Sequence, residues 1–360
     1  MPEPLYASIN PEMLILAREA AGLTQTELAD RLGIAQGKVS RIEAQLSHID
    51  NEFLQRLCAE LGRTPAFFSR PGRRHSGAGV TEMYHRKRES MPKRVLARLH
   101  AIIDTIRIHF DEILKAIELE SDYVFPHYDI DDPLEDRTPV GIAQELRAIW
   151  RIPPGPVNNL TQVIEGAGGL IFVMDFETSL LDAICRWYPG LPPLFFLNSR
   201  MPGDRYRYTL AHELGHMVMH NRPNPNMEAQ ADQFAAEFLM PAADIRSSLT
   251  NVTLPRLAHL KPYWKVSMAA LLKRATDLMK VSENQARYLW SRFSSLGYRR
   301  SEPMELEIPV EQPQLVNSII ETCQTALGWT TADFEQHLMT SDTHLRPIYF
   351  RDQPGLRMVR

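Results

Sequence analysis

Apolar positions recur at helical spacing along most of the chain, and only a few short runs break that rule. Met13, Leu14, Leu16 and Ala17 put one apolar face on a helix over 10–20, which Gly22 ends. Thr24-Gln25-Thr26-Glu27 has the form of a capping box and opens a second helix through Leu28, Ala29 and Leu32. Gly33 turns the chain into a short third helix over 35–43, with Val39 and Ile42 inward. A fourth helix spans 51–61 on Phe53, Leu54, Leu57 and Leu61. Helix, glycine turn and short helix is the spacing of a helix-turn-helix.

Further along, Leu96, Leu99, Ile103, Ile106, Phe110, Ile113 and Ile117 fall in alternating steps of three and four. That is a heptad seam on one long helix. It suits a homodimer through residues 96–117 that reads two half-sites, and this is the preferred expectation. Packing onto the chain's own domain is the alternative. Helices over 138–150 and 157–167 follow, separated by Pro153-Pro154-Gly155-Pro156. Leu170–Met174, Ala183–Trp187 and Leu194–Asn198 are short runs of strand character, and helices resume at 254–260, 268–278 and 282–296. Residues 301–360 open on an alternating MELEIPV, which reads as a strand, and continue into a helix over 314–327.

Composition narrows the setting. The 360 residues leave room for two or three domains, and a 44% hydrophobic content supplies ordinary cores throughout. Cys58, Cys185 and Cys323 lie far apart with no CxxC pair, which excludes a disulfide framework or a cysteine zinc site and fits a reducing cytoplasm. MPEPLYASIN lacks the basic start and apolar core of a signal peptide. The apolar runs fall short of the roughly 18–20 residues a membrane span needs. A cytoplasmic protein without a membrane partner is expected. The net charge of −4 says little by itself, but residues 70–98 carry nine basic side chains against two acidic ones. This basic joint, with a flexible link at Arg74–Gly79, can add phosphate contacts, form a solvated face, or lie against the acidic stretch Asp129–Asp136.

The chemistry concentrates in Arg205–His220, RYRYTLAHELGHMVMH. On a helix, His212 and His216 of the HExxH motif project from one face and can grip a Zn²⁺ ion, with Glu213 in reach of a water there. Leu210, Ala211, Leu214, Met217, Val218 and Met219 bury this helix, and burying unpaired polar groups costs several kcal/mol. A third ligand is offered by the helix MEAQADQFAAEFLMP. Glu228 leads it and is the preferred ligand; Glu237, about half a turn round the helix from it, is the competing acid. Asp232, one turn after Glu228, can accept the remaining N–H of a ligand histidine and fix its tautomer.

TLAHELGHMVMH followed by EAQADQFAAEFLMP resembles the ImmA/IrrE metallopeptidase family over roughly residues 140–300, including the upstream run Pro193–Asn198. The resemblance implies His212, His216 and Glu228 as ligands of Zn²⁺ and Glu213 as general base. It also makes His220 a residue behind the ligands or beside the substrate. GLTQTELADRLGIAQGKVSRIE resembles the XRE-type repressor helix-turn-helix over residues 10–62, which implies binding to double-stranded DNA. Gln36, Lys38 and Arg41 would then face the DNA, with Gln25 at the phosphates. Gly37 stands where such proteins often place a base-reading side chain, and it lowers helix stability by about 1 kcal/mol.

The expected fold is mainly α, with an N-terminal all-α helix-turn-helix domain over 1–69 and a basic linker with the long heptad helix over 70–125. A small α+β zincin-like metallopeptidase domain follows over 126–300, then a C-terminal tail domain over 301–360. The expected function is a transcription regulator that cleaves a protein substrate, a repressor-type regulator by resemblance, in stress, phage or mobile-element control. The competing reading is a DNA-binding regulator with a structural or sensory zinc and no proteolysis, acting in a toxin–antitoxin or phage-immunity pair. Tyr206, Tyr208 and His220 are the candidates to assist the carbonyl oxygen.

Overall fold

Three of the capping signals in the first seventy residues, at Asn10, Thr24 and Asp50, are used. The computed structural model describes residues 6–7, 9–72, 91–132 and 137–350. Asn10 accepts from the Glu12 N–H at the start of α1 (Pro11–Ala20), and Thr24 with Glu27 closes a reciprocal capping box on α2 (Gln25–Leu32). α3 (Gln36–Glu43) follows, and α4 (Asn51–Leu61) starts on the Asp50 carboxylate. A two-residue strand pair, β1 (Tyr6–Ala7) with β2 (Ile49–Asp50), runs antiparallel beside them, and α5 (Pro65–Ser69) ends the bundle. The basic link 73–90 and residues 133–136 of the acidic stretch lie outside the described residues.

The chain forms two compact units whose boundaries differ from those the sequence suggests. One contains the described residues up to 119 together with 316–350; the other contains 120–315. The reason lies in α6 (Lys93–Ala116), the heptad helix. Leu99, Ile103, Ile106, Phe110 and Ile113 are all buried within the chain itself. Helix α1 packs along it, and Ala101 and Ile108 join the helix-turn-helix core. The expected dimer seam over 96–117 is therefore corrected. A heptad pattern reports one apolar stripe, and here the chain's own helices cover it.

The second unit surrounds a three-stranded sheet. Helices α7 (Pro139–Ile149) and α8 (Leu160–Gly166) precede it. β3 (Leu170–Met174) pairs in parallel with β5 (Leu194–Asn198), and β4 (Ala183–Arg186) pairs antiparallel on the other side of β5. The central strand reads LFFLN and is wholly buried, which explains its unbroken apolar run. Against it lies α9 (Gly203–Met219), carrying the HExxH motif, with α10 (Met227–Leu239) packed closely on α9. A short turn α11 (Ala242–Ile245) leads to α12 (Leu254–Trp264), α13 (Met268–Asp277) and α14 (Glu283–Ser295).

Residues 302–311 form a strap rather than the expected strand, with one 3-10 turn at Met304–Leu306. Pro303 and Pro309 remove ladder donors, and the acids at the two ends of the strap, Glu302 and Glu311, are taken up by helix ends. Glu302 accepts from the Met268 and Ala269 N–H groups and from Lys261 (2.7 Å), which also holds Asp204 on α9. Glu311 accepts from the Leu160 and Thr161 N–H groups and pairs with the fully buried Arg207 of α9. A Cβ at Gly203 would lie 2.1 Å from the Ile308 carbonyl oxygen, so only glycine lets the strap cross the start of α9.

The remaining helices, α15 (Leu315–Thr325), α16 (Thr331–Leu338) and α17 (Asp342–Tyr349), fold back into the first unit, with α16 on α6. Met339 and Ser341 bond the backbone of Thr64 and Gly62, so the tail is stitched to the α4–α5 turn. Beneath lies a buried polar cluster. Thr340 gives its own proton to the Leu338 carbonyl and accepts from Arg63 (2.6 Å) and His109 Nε2 (3.0 Å). His109 Nδ1 therefore accepts from the Tyr349 hydroxyl (2.9 Å). No described helix is long and apolar enough to cross a membrane, and the three cysteines are buried and unbridged.

This cluster gives the first unit an acid sensitivity. Burial, and then the charges of Arg63 and Arg70, hold His109 well below the usual imidazole range. Unfolding frees it to take a proton near pH 6.5, so the unfolded state binds more protons below that pH. Stability is then expected to fall with acid by up to about 1.4 kcal/mol per pH unit. His109→Gln keeps one donor and one acceptor and should flatten the dependence. Urea midpoints at pH 5 and 7 measure it, and equal slopes for both proteins would refute a neutral buried imidazole.

Candidate functional site

His212 and His216 sit one turn apart on α9, and Glu228 opens α10 beside them. Their approach depends on Gly215. A Cβ there would lie 2.9 Å from the Phe234 ring, so the two helices meet backbone to ring with no side chain between. The three donor groups converge. The Nε2 atoms of the two histidines are 3.0 Å apart, and Glu228 oxygens lie 3.5 Å from His212 Nε2 and 3.3 Å from His216 Nε2. A tetrahedral cation with bonds of about 2.0–2.1 Å spaces its donors about 3.3 Å apart, so this triangle has the dimensions of a zinc face. Among the described residues it is the single cluster of three such side chains able to share an ion.

The outer nitrogens explain why the inner ones converge. Asp232 Oδ1 stands 3.1 Å from His212 Nδ1, which donates to it and so turns Nε2 inward. His216 Nδ1 is 3.2 Å from His220 Nδ1, and His220 Nε2 is 2.9 Å from Gln230. Burial opposes a charge on His212, yet its hydrogen bonds to Asp232 and Glu228 outweigh it and lift the imidazole to about 9. Partial burial is likewise overcome at Glu228, where His212 and His216 hold the carboxyl well below its usual range. Burial and the neighbouring His216 push His220 down to about 4. Two imidazole nitrogens this close need a hydrogen or a metal ion between them.

The other sequence candidates separate cleanly. Glu237, the competing acid, is buried in a pair with Arg274 and accepts from Gln144 (2.8 Å), away from the histidines. Glu213 is 3% exposed, and its backbone carbonyl receives the Cys185 thiol of β4 (3.8 Å). Burial, reinforced by Glu213, pushes that thiol up. Tyr206 bonds Thr161 (3.1 Å) within the core, and Tyr208 donates to the Asp232 carbonyl (3.4 Å). His220 is buried behind His216 rather than open to a substrate. What sequence reading missed is Gln230, Asn224 and the strap acids, which belong to no spacing rule.

In the first unit, Gln36 donates to Gln25 (2.8 Å), and Gln25 donates to Glu43 (2.8 Å), itself paired with Arg18 (2.6 Å). Gln25 is thus braced at both ends. Lys38 lies 4.5 Å over the Phe53 ring, while Gln36, Gly37, Lys38 and Arg41 are all exposed on α3. Of the basic joint, Arg70 pairs with Asp111 and Glu112, and Arg94 with Glu27 (3.1 Å). These cations brace the bundle.

Two family models match the chain. Residues 164–276 match the IrrE N-terminal-like domain, a metallopeptidase family, and residues 14–68 match the helix-turn-helix family. No curated protein matches the sequence. The chain therefore carries both domains that its motifs resemble, on a mainly helical fold with one small sheet.

The helix contact that assembles the site can be tested directly. Gly215→Val is expected to lower the unfolding free energy by about 1–3 kcal/mol through overpacking. Adding Phe234→Leu should recover part of that loss, because both changes act on one contact. Chemical denaturation of the single and double variants measures the coupling, and strictly additive losses would contradict it.

Proposed function

We propose that the chain is a DNA-binding regulator carrying a zinc-dependent endopeptidase, whose substrate is a protein of the repressor type. The observation that supports it most is the His212–His216–Glu228 triangle, with Glu213 on the same helix. Its exposure supports catalysis over a structural ion. The Glu228 side chain is 52% exposed and His212 15%, so the centre opens on one side, whereas structural zinc sites are closed.

His212, His216 and Glu228 would hold the ion, and Asp232 would keep the His212 ring turned towards it. When bound, zinc supplies Lewis acidity, making a water acidic near neutral pH and polarising the scissile carbonyl. Glu213 takes one proton from the attacking water and passes it to the departing amine. Water thus ends as the hydroxyl of the new carboxyl group and a proton on the new amine. At the other end, Gln36, Lys38 and Arg41 would meet DNA in the major groove, with Gln25 at a phosphate.

Glu213→Gln keeps the shape of the side chain and removes the base. Incubated with zinc and candidate repressors, the wild type should cleave and the variant should be slower by about 10²–10⁴-fold, with zinc content unchanged. Equal cleavage by both, or none by a zinc-loaded wild type, would sink the enzyme reading. For the other domain, Arg41→Ala should weaken DNA binding at low salt by about 1–3 kcal/mol. Unaltered retention of DNA in a titration would remove α3 from the interface.

A further inference from the structure

The hydrogen-bond chain behind His216 has a direction, and that direction can be read from a backbone group whose donor character is certain. The Asn226 N–H donates to Asn224 Oδ1 (2.8 Å). This fixes the Asn224 amide, leaving its Nδ2 to donate to Asp131 Oδ2 (2.8 Å) and Gln230 Oε1 (3.2 Å). Asp131 is brought there by residues 128–130, whose backbone bonds the end of α9 at Val218 and Met219. The atom that Gln230 turns to His220 is consequently an oxygen, an acceptor only, at 2.9 Å from His220 Nε2. His220 must carry its proton on Nε2 and offer a lone pair at Nδ1. His216 Nδ1, 3.2 Å away, must then be the donor. The His216 Nε2 lone pair is thereby turned towards His212 and Glu228.

We propose that Gln230, oriented by Asn224 and Asp131, is a positioning residue that sets the tautomer of His216 through His220 and so readies the site for zinc. This rests on the zinc reading above. The two ligand histidines are prepared by different means. His212 has a carboxylate partner, Asp232, while His216 depends on a neutral relay of two amides and an imidazole. His216 and His220 are 3% and 2% exposed, so water has little access to stand in for a missing member. A neutral relay also avoids a second carboxylate in a buried place, where an unpaired charge is costly.

Gln230→Met retains length and removes the acceptor; Gln230→Glu retains an acceptor for both His220 and Asn224. Two measurements on the full chain decide the matter. Chelator competition should show zinc bound roughly ten- to a hundredfold more weakly by Gln230→Met, and within a few-fold of wild type by Gln230→Glu. Histidine ¹⁵N spectra of the metal-free proteins should show His216 with its proton on Nδ1 in wild type and Gln230→Glu, and mixed tautomers in Gln230→Met. Spectra unchanged in Gln230→Met overturn the relay, as does an unchanged affinity where wild type binds zinc. The spectra need no metal, so they judge the relay even if the wild type takes up no zinc, a result that would fail the zinc reading alone.

Discussion

Everything at this site depends on holding two imidazole nitrogens 3.0 Å apart inside an apolar helix pair. Left to itself a neutral histidine distributes its proton over both nitrogens, and two facing lone pairs repel. The chain meets this by engaging the outer nitrogens. Asp232 accepts a hydrogen bond from His212 Nδ1, and His220 accepts one from His216 Nδ1, so both inner nitrogens face one cation. Glu228 then supplies a negative charge from the adjacent helix, within 3.5 Å of both. Burial disfavours a charge on His212, yet its hydrogen bonds to Asp232 and Glu228 lift the imidazole to about 9, so the same acids that would face a cation also favour a charged ring.

Such an arrangement tolerates little sliding of α9, and the ion pairs at its start act on that. Arg207 is buried with Glu311, and Lys261 binds both Asp204 and Glu302, so two acids outside the matched 164–276 region tie down the first turns of the helix. Burying charged pairs yields little net stability, since desolvation offsets most of the attraction. What they contribute here is register. The same acids occupy the N–H groups at the starts of α8 and α13, so each carboxylate fixes a helix end and a cation at once.

Much of this was legible in the residues. Periodicity and caps locate most of the longer helices within a few residues, since Thr24 and Glu27 or Asp50 leave a local signature, while α5, α11, α16 and α17 go unread. HExxH with Glu228 and Asp232 could be read because helical spacing alone puts them on defined faces. The failures share a cause. The seam of α6 shows that Phe110 and Ile113 need covering, but periodicity is silent on which segment covers them. MELEIPV alternates like a strand, yet the carboxylates that flank it, Glu302 and Glu311, are claimed by helix ends more than thirty residues away in sequence, and no ladder forms. Gln230 and Asn224 carry no motif at all; their role exists only once α10 stands against α9.

The course of the chain constrains how the two units can be separated. The first unit is built from both ends of the sequence, with residues 120–315 inserted between α6 and α15. A cut after residue 300 therefore removes part of the unit that holds the helix-turn-helix. It would take away Thr340 and Tyr349, leaving His109 without its two partners and Phe110 without the Tyr349 ring 6.2 Å from it. Buried groups that lose their hydrogen bonds in this way destabilise by about 1–3 kcal/mol each. The helix-turn-helix and the candidate metal centre are thus separate in chemistry but interleaved in sequence. The segment that completes the first is reached only after the strap that steadies the second.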